Sequence, residues 1–453
     1  MKLGMITLAA ALFCSTAIFA GSDNPLLDED WMAETNLEKV IAAIADGHSI
    51  TGQNSHMDTP LSLALSEKAG IDVVRHLLDQ GANVNRPAHD FRPAIFWGSG
   101  YGDIEIIKLL IERGADLKAK DSSGRSVLTY AARQQSNPEV ITYLLSLGFD
   151  VNEADGEGRT PALTAAERNK NLDVFKLIVA AGGDPKLRSD NGRDVFLLSA
   201  YRNKSVEVTE HMMGLSDDPH ATDDDGYGAM LLAAMRSPLE KLIWLKDKGF
   251  KLGAVSNSGD TELINAAYRN DPEVVEWLIA QGSDVNAANK RGRTPLLHAM
   301  IRNKPEVAQM LIDAGANVNA VNSSGESPLI IAAKRTRKGA DDVIGILLAA
   351  KADVNLAAKN GTTALIEAAR AAKSAAQLTA LLDAGADVNA RDKDGYSALM
   401  YAALKATEPA VIDVLLAAGA DRSFKDVFDD TAATIVKDNV ALAGTDAETN
   451  LAK

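Results

Sequence analysis

A five-residue word of the form Gly-x-Asp-x-Asn returns along this chain at nearly constant spacing, and no other feature restricts the fold so tightly. It reads Gly-Ala-Asn-Val-Asn at 81–85, Gly-Phe-Asp-Val-Asn at 148–152, Gly-Ser-Asp-Val-Asn at 282–286 and Gly-Ala-Asp-Val-Asn at 385–389. Its central position falls at 83, 116, 150, 184, 218, 251, 284, 317, 353, 387 and 421, in steps of 33 or 34 residues with one of 36. A period of this length marks stacked units, each too small to bury its apolar face alone. The 453 residues therefore do not divide into the roughly three globular cores that length alone suggests.

Between these marks the order is constant: a Gly-containing turn, a small-residue helix, a short polar loop and a second helix. Gly124, Gly158, Gly192, Gly226, Gly259, Gly292, Gly325, Gly361 and Gly395 each stand two residues before the position that opens the first helix. A turn requiring positive φ explains the preference. Met57, Asp90 and Asp429 take that place near the ends of the array. Thr59-Pro60, Thr160-Pro161, Thr294-Pro295 and Ser327-Pro328 join a hydroxyl cap to a proline at the first helical position, where the missing N–H costs nothing. Five residues after the opening stands Ala64, Ala131, Ala165, Ala233, Ala266, Ala299, Ala332, Ala368 or Ala402, small enough for neighbouring first helices to approach closely. Second helices such as 103–111 and 273–279 carry large aliphatics at the spacing of a half-buried helix.

The Thr-Pro-Leu, Ala-Ala, Leu-Leu and Gly-Ala-Asp-Val-Asn skeleton, with its period and turn glycine, resembles the ankyrin repeat from about residue 37 to about 438. The resemblance implies an all-α solenoid of about 12 helix-loop-helix units with β-hairpin-like turns, working as a non-catalytic protein-binding scaffold through its concave face and hairpin tips. It divides the chain into a capping segment (21–58), the array (59–438) and a polar C-terminal tail (439–453). One departure stands out. The family's histidine three residues after the cap is replaced by Ile95, Leu163, Leu197, Leu231, Ile264, Leu297, Ile330, Ile366 or Met400, so turn-to-turn stacking is expected to lean on apolar contact. His298 falls one position out of phase.

The N-terminus is of another kind. Lys2 precedes an apolar run ending at Ala20, followed by polar sequence, the pattern of a secretory signal peptide. Cleavage is expected after Ala20, with Ala17 the alternative, and an uncleaved anchor is the competing reading. The only cysteine, Cys14, lies within this run, so the mature chain has no thiol chemistry. The short, alanine-rich signal points to the periplasm or the exterior.

A formal net charge of -15 argues against nucleic acid or anionic lipid as a partner for the whole surface. No catalytic constellation, cofactor motif or metal-ligand spacing is found among the seven histidines and the acidic residues. The acidic stretch 217–226 is the nearest approach to a metal-dependent enzyme site, but Ala221 and Leu232 occupy the end positions of a calcium loop. The expectation is a monomer without enzymatic activity, cofactor or metal; a stress-protective or toxin-neutralising binding protein is the second reading.

One further series is in phase. Arg168, Arg202, Arg236, Arg269, Arg302 and Arg335 occupy the same place in successive repeats, and Tyr201 and Tyr268 precede two of them in the repeated word Ala-Tyr-Arg-Asn. Two explanations stand. A cation in the last helical turn complements the helix dipole by about 0.3–1 kcal/mol, and the Asn that follows suits a left-handed helix end. Alternatively, steps of about 10 Å between packed helices make a basic stripe with aromatic anchors, suited to a protein partner with an acidic patch.

Overall fold

In the computed structural model, residues 24–302, 305–335 and 340–452 are described. The expected signal segment 1–20, and Asn303 and Thr336 beside the arginine series, lie outside them. The chain forms two compact units, Met1–Asp190 and Asn191–Lys453.

In the first unit, helices Glu29–Ala33 and Leu37–Ala45 precede four helix pairs, from Pro60–Ser66 with Ile71–Asp79 to Pro161–Arg168 with Leu172–Ala180. The second unit continues the same alternation from Val195–Arg202 to Pro409–Ala417 and ends on Ala432–Ile435 and Asp446–Ala452. Within each unit first helices pack on first helices and second on second. Among the described residues the hairpins contain one isolated antiparallel bridge, Arg391 with Ser397, and no strand.

Sequence chemistry sets each element. The Thr160 hydroxyl accepts the Leu163 N–H at 3.3 Å, and the Asp194 carboxylate does the same for Leu197 at 2.9 Å, so the first turns are capped as expected. Ala165, Ala233, Ala266 and Ala299 are no more than 1% exposed, and first helices are buried nearly all round. Second helices bury one stripe only, as Val274, Val275 and Leu278 do. The turn position needs its left-handed backbone even without glycine: Met57 and Asp429 adopt φ of 67° and 65°, and because the cap is Pro93 the place expected of Asp90 (φ 56°) falls to Phe91, at 61°. It also needs space, because a Cβ on Gly158 would meet Asp190 Oδ1 at 2.3 Å.

In several repeats a carboxamide just past the first helix ties the repeat to the one before. Asn169 donates from Nδ2 to the Ala132 and Gln135 carbonyls at 2.9 and 2.8 Å. Asn270 reaches the corresponding Ala234 and Ser237 carbonyls at 2.9 and 3.0 Å. Gln135 does so with Ser99 and Gly102, and Asn439 with Ala403 and Ala406. These acceptors are helix C-terminal carbonyls, which have no partner within their own helix. The expected left-handed helix end is thereby corrected: Asn169, Asn203 and Asn270 have φ of -78°, -68° and -94° with extended ψ. Asparagine is chosen there for a buried carboxamide that serves two carbonyls, not for its backbone.

One repeat splits this task. Ser237 stands in the asparagine place, and its hydroxyl reaches only the Ala200 carbonyl, at 2.8 Å. The second acceptor, the Asn203 carbonyl, is taken by Lys241 Nζ, which also donates to the Ser199 carbonyl at 2.9 Å. Lys241 occupies the third position of the second helix, where Val174, Val208, Val274 and Val307 stand elsewhere, and it is 0% exposed. Burial pushes its amine down to about 7.

The segment from 439, expected as a polar tail, is folded. Leu442 and Leu451 are no more than 2% exposed, and helix Asp446–Ala452 packs on Pro409–Ala417. Its polar composition covers the end of the stack, where the last apolar face would otherwise meet water.

The Lys241 exchange has a measurable consequence. The unfolded chain binds the Lys241 proton up to about pH 10.4 and the folded chain loses it near 7, so Lys241 makes stability rise with pH through that window. K241V should cost about 1–3 kcal/mol at pH 9, where the amine is neutral and the variant's loss is that of carbonyl partners. Adding S237N should recover that loss and flatten the rise, as read by urea denaturation at pH 7 and 9.

Candidate protein-binding site

The first helices place Arg168, Arg202, Arg236, Arg269 and Arg302 on their last turns, whereas Arg335, expected there too, lies past the end of Pro328–Ala333, and the side chains do not form an even row. In the unit 191–453 they gather around two tyrosines. Arg202 and Arg193 lie with Cζ 4.7 and 4.8 Å from the centre of the Tyr201 ring, and Arg236 lies at 5.9 Å. Arg202 Nη2 also donates to the Tyr201 hydroxyl at 3.4 Å. One pair of repeats further on, Arg269 and Arg302 sit 4.9 and 5.0 Å from the Tyr268 ring centre. Each contact of this kind contributes about 0.5–2 kcal/mol, depending on desolvation.

The phenols register the surrounding charge. Burial alone would raise Tyr201, but the charges of Arg202, Arg236 and Arg193 and the Arg202 hydrogen bond outweigh it and hold the phenol below its ordinary value. At Tyr268 the Arg269 hydrogen bond acts first, is opposed by burial, and is aided by the Arg269 and Arg302 charges, with the same net direction. Behind Tyr268, His298 packs edge-on at 5.5 Å. Burial lowers its imidazole to about 4, so it is a neutral wall at pH 7.

The remaining members differ. Arg168, in the unit 1–190, lies 3.7 Å from the Glu167 carboxylate, and Arg159 reaches the same side chain at 3.3 Å. Arg335 is tied to the preceding repeat through a hydrogen bond from Nη1 to the Ile301 carbonyl. Arg269 and Arg302 have no carboxylate within ion-pair distance among the described residues, and their charges rest on Tyr268.

A second arginine series, immediately before the helix caps, escaped the sequence reading. Arg92 and Arg125 both bind the buried Asp121 carboxylate, at 3.1 and 2.9 Å, and Arg193 binds Asp223 at 2.8 Å. The signal was present in Arg125-Ser126, Arg159-Thr160 and Arg193-Asp194, but only folding shows that these cations are paired across the turns. Arg193 links the two series, since it reaches from its ion pair with Asp223 into the Tyr201 cluster. The same contact bears on the acidic stretch 217–226: the Asp223 carboxylate is engaged by Arg193 and by the Asp225 and Tyr227 N–H groups. Elsewhere, Glu29, His56 and Asp58 bring ligand-type atoms within 4.8 Å of one another; burial raises the Asp58 carboxyl, and His89 opposes it.

The ankyrin repeats (3 copies) family profile matches residues 94–190, 196–289, 263–358 and 336–426, and the single ankyrin repeat profile matches 56–89. The chain belongs to the ankyrin-repeat family. Members of this family are in general protein–protein interaction scaffolds, typically without catalysis. No curated protein sequence matches the chain. No helix among the described residues is long and apolar enough to cross a membrane.

The clusters predict a spectroscopic signature. An absorbance titration should show phenols ionising below the ordinary value near 10, because neighbouring guanidiniums favour the phenolate. The double variant Y201F/Y268F should lack this early fraction, and R236A should move the Tyr201 share upward.

Proposed function

We propose that this ankyrin-repeat chain captures an acidic protein partner on the face formed by the last turns of its first helices, between Arg202 and Arg302. The observation that carries this reading is the pair Arg269 and Arg302, stacked on Tyr268 with no carboxylate partner among the described residues. The pre-cap arginines Arg92, Arg125, Arg159 and Arg193 are paired with Asp121, Asp155 and Asp223, whereas these two rest on an aromatic ring. Stacking also holds the guanidinium in place before contact, which reduces the ordering cost of association. Arginine and tyrosine are the residue types that most often dominate interface energy. A chain of net charge -15 repels acidic macromolecules in general, so a local basic cluster selects an acidic patch on a partner of matching shape.

The reading extends to place. The apolar run ending at Ala20 supports export, with the binding face working in the periplasm or outside the cell. A stress-protective or toxin-neutralising role uses the same face and differs only in the partner.

The test is affinity capture from a periplasmic extract with the tagged mature chain, beside the variant R202A/R269A/R302A. Each arginine should contribute at least about 1 kcal/mol as a central interface residue, so the triple variant should lose about 100-fold or more in affinity for the captured protein. Its circular dichroism should match the parent chain. Equal capture by both proteins would remove the arginine clusters from the binding role.

A further inference from the structure

The hairpins carry a second internal code; Lys118, Lys186, His220 and Gly253 depart from it, and the departure at Gly253 lines a cavity. The asparagine that closes the Gly-x-Asp-x-Asn word clasps the next hairpin with both ends of its carboxamide. Asn286 donates from Nδ2 to the Gly315 carbonyl at 3.0 Å, while its Oδ1 accepts the Asn317 N–H at 2.7 Å. Asn85, Asn152, Asn355 and Asn389 repeat the arrangement on the following glycine carbonyl, at 2.8–3.2 Å. Each also accepts the N–H two residues beyond that glycine, at 2.8 Å. The glycine carbonyl and this N–H thus form a receptor whose ligand, wherever the rung is closed this way, is a primary carboxamide.

At 251–253 the word reads Lys-Leu-Gly, and Gly253 holds the clasping position. The receptor it faces, the Gly282 carbonyl and the Asp284 N–H, receives no bond from that hairpin. The Gly253 backbone, at φ 95°, turns elsewhere: its N–H donates to Glu262 Oε1 at 3.2 Å and lies 3.4 Å from Oε2. Glu262 occupies the first helical position, where proline stands at 161, 295 and 328, and it is 2% exposed. The outcome is a cavity of about 340 Å³ lined by Gly253, Glu262, Gly282, Ser283, Asp284 and Ala287 among others. Its size is that of a small-ligand site, and it combines a few fixed polar groups with apolar wall. Burial raises the Glu262 carboxyl, against the Gly253 and Ala254 N–H bonds that lower it. Its oxygens provide a further acceptor in the same cavity for the second N–H of an amide group.

We propose that this cavity is a binding site for a primary carboxamide, either the Asn or Gln side chain of a partner polypeptide or a small free amide, seated where asparagine closes five other rungs. The site is separate from the Tyr201 and Tyr268 clusters and does not depend on their role. A carboxylate of the same shape is a poor substitute. It has no N–H to give the Gly282 carbonyl, and it brings a charge toward Glu262.

The experiment follows the amide NMR resonances of Ser283 and Asp284 in the full chain during three titrations. The ligands are N-acetylasparagine N-methylamide, its aspartate counterpart and propionamide. A ligand of so few atoms binds in the millimolar range at best. Saturable movement of both resonances with the asparagine compound but not the aspartate one supports the site. Saturation by the asparagine compound alone assigns the ligand to a partner's side chain, and saturation by propionamide as well, or by propionamide alone, assigns it to a free amide. A287W should abolish the response while leaving resonances of distant repeats in place, and R202A/R269A/R302A should respond as the parent does. Equal movement with the aspartate compound, or no saturation with either amide by about 100 mM, overturns the proposal; both comparisons stand without any variant.

Discussion

The structure depends on how each repeat satisfies the open carbonyls of the one before it. First helices of eight residues leave carbonyls at their C-terminal ends without an internal partner, and two acceptors at such an end, as Ala132 and Gln135, meet the neighbouring repeat. A buried carboxamide placed just past the next helix supplies both hydrogens, as Asn169 and Asn270 do. Burying these carbonyls unpaired would cost about 1–3 kcal/mol each, comparable to the apolar gain of a buried side chain. The clasp therefore fixes the register of the stack as well as its strength. The exchange of Asn for Ser237 and Lys241 shows that the acceptors set the requirement, since quite different donors converge on the same two carbonyls.

This separates the two halves of the repeated word Ala-Tyr-Arg-Asn. Asn270 is turned into the stack and is 3% exposed, whereas Tyr268 and Arg269 are half-buried at its surface. Adjacent residues point to opposite tasks because the helix ends between them and the backbone becomes extended. A structural explanation fully accounts for the asparagine. It does not account for the arginines in the same way, since a cation at a helix end needs no tyrosine beneath it to complement a dipole, and Arg269 and Arg302 share one ring.

The fold was legible because the sequence states it many times over. Turn glycines, hydroxyl caps and small residues recur in phase, so each local preference agrees with the global period. Even the turns lacking glycine obey, with Met57, Phe91 and Asp429 at positive φ. The arginine series was equally visible, but its grouping was not. Phase shows which residues share a place in the repeat, while the Tyr201 cluster depends on Arg193, which belongs to another phase. Pairing is likewise invisible to periodicity: Arg168 and Arg302 share a phase, but Arg168 lies beside the carboxylate of its neighbour Glu167 while Arg302 follows Ile301 and rests on Tyr268. The terminal segment was misread for a related reason. Asp446–Ala452 is mostly polar, and its few apolar residues declare their burial only against the last repeat.

A regular array also makes its own exceptions interpretable. Between 228 and 253 the chain departs from the pattern at the cap (Gly228), the clasp (Ser237), the second helix (Lys241) and the hairpin (Lys251 and Gly253). Relaxed constraint on one repeat would produce such a cluster, and the first three departures fit that view. Gly228 loses a side-chain cap and nothing replaces it, while Ser237 and Lys241 repair each other locally. The hairpin is different in kind. Glu262 secures the altered backbone by accepting the Gly253 N–H, yet it leaves the Gly282 carbonyl and Asp284 N–H of the next hairpin unclasped and lines the space beside them. A repair aimed at stability would restore the cross-hairpin bonds, for which one asparagine suffices in five other repeats. Here a carboxylate is buried at a position where proline would serve without desolvation cost. The cavity is thus maintained by a residue that makes the repeat harder to stabilise, the pattern expected where local structure answers to a ligand rather than to the fold.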